Sequence, residues 1–537
     1  MSVNNPRRVI YLPIAFAIVL AAGVLIGNLL ITSPGNTGNV FMVRPDRHDK
    51  INDIINYIQQ DYVDSISRED LVDDAIGGVL ENLDPHSQYI PAEDFNEVND
   101  DLEGNFEGIG IQFRIEKDTI TVIHTITGGP SEKVGLMAGD RIVLIDDSLV
   151  AGIGITNREA IKMLKGKRGT KVTVGIHRRK VIELIPFTIT RDVIPTYSVD
   201  IAYMVDSVTG YIKLSKFSAT TYDEFIRAMS TLSAAGMKGL ILDLRGNYGG
   251  YLQAAISISD EFLSDGQLIV YTEGNSRPNR YAYASKRGAF EVNPLVILID
   301  EGSASASEIV AGAVQDNDRG TIVGRRSFGK ALVQEQLSFP DGSALRLTVA
   351  RYHTPTGRNI QRPYDNGAEE YYHELFERYT NGELEYADSI SFNDSLKYVT
   401  PKGKIVYGGG GIMPDVFVPV KRDENDVYLN RLLQNSTIYQ FAFDYADMNR
   451  QELSQYSTPQ EFISGFEVSD KLFKELVARA KKDKIKGNSR EIRKSEEKIR
   501  TLLKAYIGRN LLDDPAFYPV YHHIDETFRK GYEVISQ

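Results

Sequence analysis

Between Tyr197 and about Arg362 the chain alternates short apolar runs with amphipathic ones, and this alternation constrains the fold more than any other feature. Gly210–Leu214, Gly239–Leu244, Leu295–Asp300, Gly320–Val323 and Ala344–Tyr352 read as strands. Thr220–Ala235, Leu252–Phe262 and Ser305–Gln315 read as helices. Strands and helices in alternation imply an α/β unit, with helices packed on a sheet.

The rest of the chain has other textures, and 537 residues exceed one ordinary domain. Residues 46–100 are helical in pattern: Ile51, Ile54, Ile55 and Ile58 share one helix face, and a second helix near Leu71–Leu83 stops at Asp84-Pro85, before a loop over 86–91. From Phe106 to about Thr190, short strands and Gly turns form a compact β-rich module. Residues 365–400 are acidic and rich in Tyr and Asn, and read as an insertion; Gly411–Val420 is core-like again. From Asp426 onward the chain reads as helical, with Lys481–Lys504 a solvated, charged helix face.

At the N-terminus, Arg7 and Arg8 precede Val9–Ile31, a run with no charge and one strongly polar residue, Asn28. That is long enough for a membrane-spanning helix of ~20 residues and longer than a signal-peptide core of ~7–15. It reads as an uncleaved transmembrane anchor in preference to a cleaved signal, with the arginines holding the N-terminus in the cytoplasm and the body extracytoplasmic. The chain has no Cys, which excludes disulfides, thiolate metal sites and Cys nucleophiles. The net charge of -12 argues against nucleic acid as a partner.

The strongest chemical signal is Asp300–Glu308 (Asp-Glu-Gly-Ser-Ala-Ser-Ala-Ser-Glu), which follows an apolar strand and opens a helix. Ser305 stands three residues before Glu308, the spacing of a capping box, so an ordinary N-cap is one reading. The other is a nucleophile: a strand-to-helix turn exposes a hydroxyl, and the helix N-terminus offers free N–H groups, that of Ala306 first, to a developing oxyanion. A serine needs a base. Lys330 follows Gly329 and begins an apolar run, where lost hydration lowers a lysine pKa toward neutrality. Gln334, four residues on, lies on the same side in a strand or a helix and can orient the amine without changing its charge. The histidines (His48, His86, His124, His177, His353, His373, His522, His523) lie in no segment with a recognisable base role, and no metal-ligand spacing occurs.

Ser305-Ala306-Ser307-Glu308, with Phe328-Gly329-Lys330 and Gln334, resembles the C-terminal processing proteases, serine endopeptidases with a Ser-Lys dyad assisted by Gln. The resemblance implies Ser305 as nucleophile, Lys330 as base and Gln334 as its orienter. Asp243–Gly250 looks like the family loop whose glycine N–H completes the oxyanion hole; Tyr248 replaces the usual Pro, leaving Gly249 or Gly250 as donor beside Ala306. Gly108-Ile109-Gly110-Ile111 resembles the carboxylate-binding loop of PDZ domains, and Gly135–Ile142 a segment shared by bacterial PDZ domains. Backbone N–H groups in such a loop grip a terminal carboxylate while the next strand pairs with the peptide; Ile111 and Phe113 alternate with Gln112, so a nonpolar tail is expected.

The resulting expectation is an α/β multidomain chain. It comprises a membrane anchor or signal (1–35), a helical region (46–100), a PDZ domain (101–190), a crotonase-like serine protease core (195–422, insertion 365–400) and a helical C-terminal region (423–537). Expected partners are protein substrates bound by their C-terminal tails and the membrane, with a homo-oligomer or an activator protein left open; no nucleic acid, cofactor or metal is implied. The rival reading is a membrane-tethered PDZ adaptor with an inactive protease fold.

Overall fold

A computed structural model describes residues 17, 19–23 and 49–537, apart from 287, 391, 392, 422 and 423. The chain divides into two units, residues 1–72 and 73–537. In the first, helix α1 (Lys50–Asp61) begins at Asp49, whose carboxylate accepts from Asn52 N–H. Only Ile55 of its expected apolar face is buried; Ile51 and Ile54 are each 58% exposed. The expected anchor, Val9–Ile31, lies largely outside the described residues, and among those described no helix is long and apolar enough to cross a membrane. Helix α2 spans Arg68–Glu81.

The segment 86–91, expected as loop, contains strand β1 (Gln88–Ile90). Asp84 causes this: its Oδ1 accepts from the N–H groups of His86 (2.8 Å) and Ser87 (2.9 Å), turning the chain so that the next three residues run antiparallel to 344–346. Helix α3 (Phe95–Glu103) then ends at Gly104, whose φ of 77° closes the helix.

The β-rich module is bracketed by β2 (Asn105–Gly108) and β9 (Asp192–Pro195), paired antiparallel. Its antiparallel sheet runs β3 (Ile111–Ile115), β4 (Ile120–Thr125), β5 (Arg141–Ile145), β7 (Lys171–His177), β8 (Ile185–Thr190), with β6 (Ser148–Leu149) on β5. Helix α4 (Pro130–Val134) precedes β5, and α5 (Asn157–Leu164) starts from a complete capping box, Thr156 with Glu159. Ile120, Val122, Ile142, Val174 and Ile176 form its core.

In the α/β unit, β10 (Val199–Met204), β11 (Thr209–Leu214), helix α6 (Thr221–Ala234), β12 (Gly239–Asp243) and helix α7 (Leu252–Asp260) come first. There follow β13 (Leu268–Glu273), β14 (Arg280–Tyr283), β15 (Leu295–Ile299), helix α8 (Ala306–Asp316), β16 (Thr321–Gly324), β17 (Leu332–Ser338) and β18 (Ala344–His353). The insertion holds helix α9 (Ala368–Thr380) and a hairpin, β19 (Lys397–Val399) with β20 (Ile405–Tyr407), before β21 (Val416–Phe417). The main sheet is ordered β10-β11-β12-β15-β16-β21, parallel from β11 onward. Strand β15 and residues 239–242 of β12 are apolar because both faces are covered; β12 ends in the buried Asp243. Leu240, Leu242, Ile297 and Ile299 join the core under α6, α7 and α8; Ile241, Val296, Leu298 and Val323 face the C-terminal helix Glu526–Ile535. Strand β18 carries a second sheet with β1, β13 and β17. The helices between 427 and 521 pack around a core of their own, which includes Leu432, Phe462, Leu476 and Leu503.

Candidate active site

Strands β12, β15 and β16 are adjacent and parallel, so their carboxyl ends lie side by side, where open α/β sheets place their ligand crevices. The three motifs emerge there: the Asp243–Gly250 loop after β12, the serine turn after β15, and Phe328-Gly329-Lys330 after β16. Hydrogen bonds lock the first two together. Gly246 N–H donates to Asp300 Oδ1 (2.8 Å), Ala304 N–H to Asn247 O (3.0 Å) and Ser307 Oγ to the same carbonyl (2.8 Å).

Ser305 is the N-cap of α8; its N–H donates to Glu308, as in half of a capping box, while its hydroxyl makes no capping hydrogen bond. An N-cap ordinarily has extended backbone; Ser305 instead has φ 52°, ψ −111°, a strained conformation for a residue with a Cβ. Strain of this kind at a strand-to-helix turn presents a side chain outward. Two buried side chains hold it. Glu308, fully buried, accepts from the N–H groups of Ser305 (2.9 Å), Gly329 (2.7 Å) and Lys330 (2.9 Å), and from Ser327 Oγ. Tyr352 OH donates to Lys330 O (2.8 Å) and reaches Ser305 O (3.2 Å). The turn and the lysine loop are thus bolted to each other.

Ser305, Ala306, Lys330, Gln334 and both glycines line one cleft of about 620 Å³. Lys330 Nζ donates to Gln334 Oε1 at 3.0 Å. Burial holds the Lys330 pKa below the ordinary lysine value, Arg346 adding to the effect and Asp84 and Glu308 opposing it. Gln334 Nε2 donates to the carbonyl of His86, which fixes the amide so that its oxygen faces the lysine. That carbonyl is set by the Asp84 turn, and Ser87 Oγ both donates to Asp84 Oδ2 and accepts from Thr348 N–H (3.1 Å). The His86 imidazole, pushed down to about 4 chiefly by burial, is neutral and lies 3.0 Å from Tyr371 OH. Glu308 was legible only as a cap, and Asp84 and His86 only as a helix stop and a loop.

Of the two glycines, Gly249 gives its N–H to Asn247 Oδ1 at 2.9 Å. Among the described residues the N–H groups of Gly250 and Ala306 donate to no protein acceptor. Gly249 is nonetheless indispensable as glycine: at φ 95°, a Cβ there would stand 2.8 Å from Ser305 Cβ. Beneath the loop, buried Asp243 pairs with half-buried Arg245 at 2.6 Å, and Arg245 continues to Asp525 at 2.8 Å.

In the β-rich module, Ile109, Gly110 and Ile111 line a groove of about 450 Å³ between β3 and α5. Gly108 is the exception. It ends β2 opposite Asp192, with the Phe106 ring where its Cβ would point, and is absent from the groove lining. Ile111 and Phe113 are half-buried and Gln112 exposed, as alternation requires.

Residues 208–367 match the profile of peptidase family S41, and residues 108–186 that of the PDZ domain. Residues 33–94 match the activating protease CtpB N-terminal domain, and 428–513 a family of unknown function. The chain is 39% identical over 317 residues to the carboxy-terminal-processing protease of Bartonella bacilliformis, covering 58% of this chain and 72% of that protein. It is 34% identical over 352 residues to the carboxy-terminal processing protease CtpA of Bacillus subtilis, covering 65% and 74%. Among solved structures, the photosystem II D1 C-terminal processing protease is 26% identical, with a TM-score of 0.35, covering 69% of this chain and 86% of that one. The chain belongs to the carboxy-terminal processing proteases, serine-type peptidases of family S41 that carry a PDZ domain.

Proposed function

We propose that Ser305 is the nucleophile, neutral Lys330 the general base and Gln334 its orienter, in an endopeptidase that cuts proteins near their C-termini. Lys330 takes the Ser305 hydroxyl proton as Oγ attacks the scissile carbonyl, and the N–H groups of Gly250 and Ala306 receive the oxyanion. The resulting ammonium returns that proton to the leaving amine, and Lys330 then draws a proton from the water that hydrolyses the acyl-enzyme. A neutral amine has two N–H bonds and one lone pair; with one N–H spent on Gln334, the lone pair is left to accept from serine. The observation that carries this reading is a half-buried lysine, anchored to Gln334 at 3.0 Å, in the same cleft as a serine with strained backbone.

The PDZ module takes the substrate tail, its terminal carboxylate at Ile109-Gly110 and nonpolar side chains along β3. The uncharged run Val9–Ile31 behind two arginines supports tethering to a membrane with the body extracytoplasmic.

Cleavage of a denatured protein with a nonpolar C-terminus tests the assignment. Ser305→Ala and Lys330→Ala should each lose at least about 10³-fold in kcat while still binding the tail. Full activity in either variant sinks the dyad, and equal inertness of wild type and Ser305→Ala favours the adaptor.

A further inference from the structure

Strand β17 aims two cations with two glutamines. Gln334 Oε1 accepts from Lys330 Nζ, and Gln336 Oε1, two residues on, accepts from Arg346 Nη2 at 3.0 Å. Gln334 and Gln336 stand opposite Thr348 and Arg346 in the β17–β18 ladder, so the four side chains leave one face of the sheet. Gln336 is itself anchored, its Nε2 donating to Asn99 Oδ1 at 3.4 Å. An amide can aim a guanidinium but cannot neutralise it. Arg346 is half-buried in the cleft that holds Ser305, and among the described residues it has no carboxylate partner. Arg280, exposed on the same lining, has none either. The one carboxylate among the described lining residues, Glu335, is already paired with Arg277 at 2.5 Å. Glu103 reaches the lining through Tyr251 OH at 3.2 Å and forms no ion pair with either arginine.

We propose that Arg346 is a specificity-determining residue, which pairs with an acidic side chain of the substrate about two residues from the scissile bond. The inference rests on the endopeptidase reading above and adds a preference inside the cleft. A guanidinium partly withdrawn from water and left without a counter-ion is unfavourable in the empty cleft, and a carboxylate of the incoming chain relieves that cost. Its planar fork matches a carboxylate, and the charge-assisted hydrogen bonds so formed are strong. Distance sets the position. The Gln336–Arg346 pair lies two residues along β17 from the glutamine that holds the base, about 7 Å in a strand, and an extended substrate covers that length in two residues. An arginine placed only to keep Lys330 neutral would speed every substrate alike. One that meets the substrate tells them apart.

The test uses the full chain and a roughly twenty-residue peptide that ends in Val-Ala-Ala and has no acidic side chain. Glu, Gln or Lys is placed in turn at each of the three positions on either side of the cut, which mass spectrometry locates in every peptide, and kcat/KM is measured. Wild type should prefer Glu to Gln about tenfold at a position about two residues from the cut, and should disfavour Lys there. Arg346→Gln should bring the Glu-to-Gln ratio near one while still cutting the Gln peptide, and Arg346→Lys should retain most of the preference. Loss of Arg346 also favours the charged form of Lys330, but that slows both peptides together and cancels in the ratio. A wild-type ratio near one at every position, or a ratio unchanged in Arg346→Gln, overturns the inference and leaves the dyad standing. Failure of wild type to cut any peptide of the set removes the endopeptidase reading, and this inference with it.

Discussion

A lysine accepts a proton only while uncharged, and the surroundings of Lys330 decide when that holds. Burial lowers its pKa most; Arg346, lining the same cleft, lowers it further, and Asp84 and Glu308 raise it. On the proposed dyad, in which the neutral form of Lys330 is the base, kcat/KM should rise with pH through a midpoint below the ordinary lysine value of 10.5. Arg346→Met removes a like charge, so the ammonium becomes easier to keep and the midpoint moves up. Asp84→Asn removes an opposite charge and moves it down; Asn Oδ1 can still accept from His86 and Ser87, so the turn survives. pH–rate profiles check both, and shifts of the same sign would refute the electrostatic account. Ser305, Lys330 and Gln334 were legible as candidates because serine, lysine and glutamine carry reactive or orienting groups in their side chains and their motifs are short in sequence. His86 was not: it contributes a backbone carbonyl, which every residue type carries, to a partner 248 positions away.

Among the elements, β12 and β15 were readable because burial on both faces leaves an apolar run, in β12 interrupted only at its last residue, Asp243. Strand β1, three residues long, gives no period to read, and the insertion showed only its acidity. Helix α9 explains that acidity. Glu374 is shared by Arg326 (3.3 Å), Arg378 (3.1 Å) and Arg362, and Glu383 pairs with Arg326 at 2.6 Å. Arg362 lies 4.4 Å over the Phe328 ring, and Arg378 donates to Ser327 O at 2.8 Å, so the cluster braces the loop that carries Lys330. Burial pushes Arg378 down to about 10, a sign of how much this guanidinium depends on its carboxylates. Glu374→Ala should cost about 2–3 kcal/mol, less than the ~3–5 for breaking a fully buried pair because Glu374 is partly exposed. It should also lower kcat by loosening the base loop. An unchanged urea midpoint would mean that the arginines are neutralised elsewhere.

At the scale of the whole molecule, the C-terminal region is tied to the catalytic framework by one buried ion network. Arg245, in the glycine loop, bridges Asp243 behind it and Asp525 at the start of the last helix, while Phe528 packs among Tyr211, Ile241 and Leu298 on the sheet. The partners lie 280 residues apart, which is why the pattern from Asp426 onward could not reveal the contact. Burial works against both carboxylates, but Arg245 and the surrounding hydrogen bonds prevail and hold Asp243 and Asp525 below the usual range. Asp525→Ala should therefore destabilise the chain by about 2–4 kcal/mol at pH 7, since it leaves Arg245, largely shielded from solvent, half-paired. The sign of the pH dependence follows from the depressed pKa. The unfolded carboxylate takes up its proton at a higher pH than the folded one, so the stabilisation is complete above ~3.9 and is lost as pH falls below it. Urea midpoints measured from pH 7 to pH 3 should show the gap between wild type and Asp525→Ala narrowing at the acid end. If the two proteins unfold together at pH 7, the C-terminal helices are an appendage and the glycine loop is held by the sheet alone.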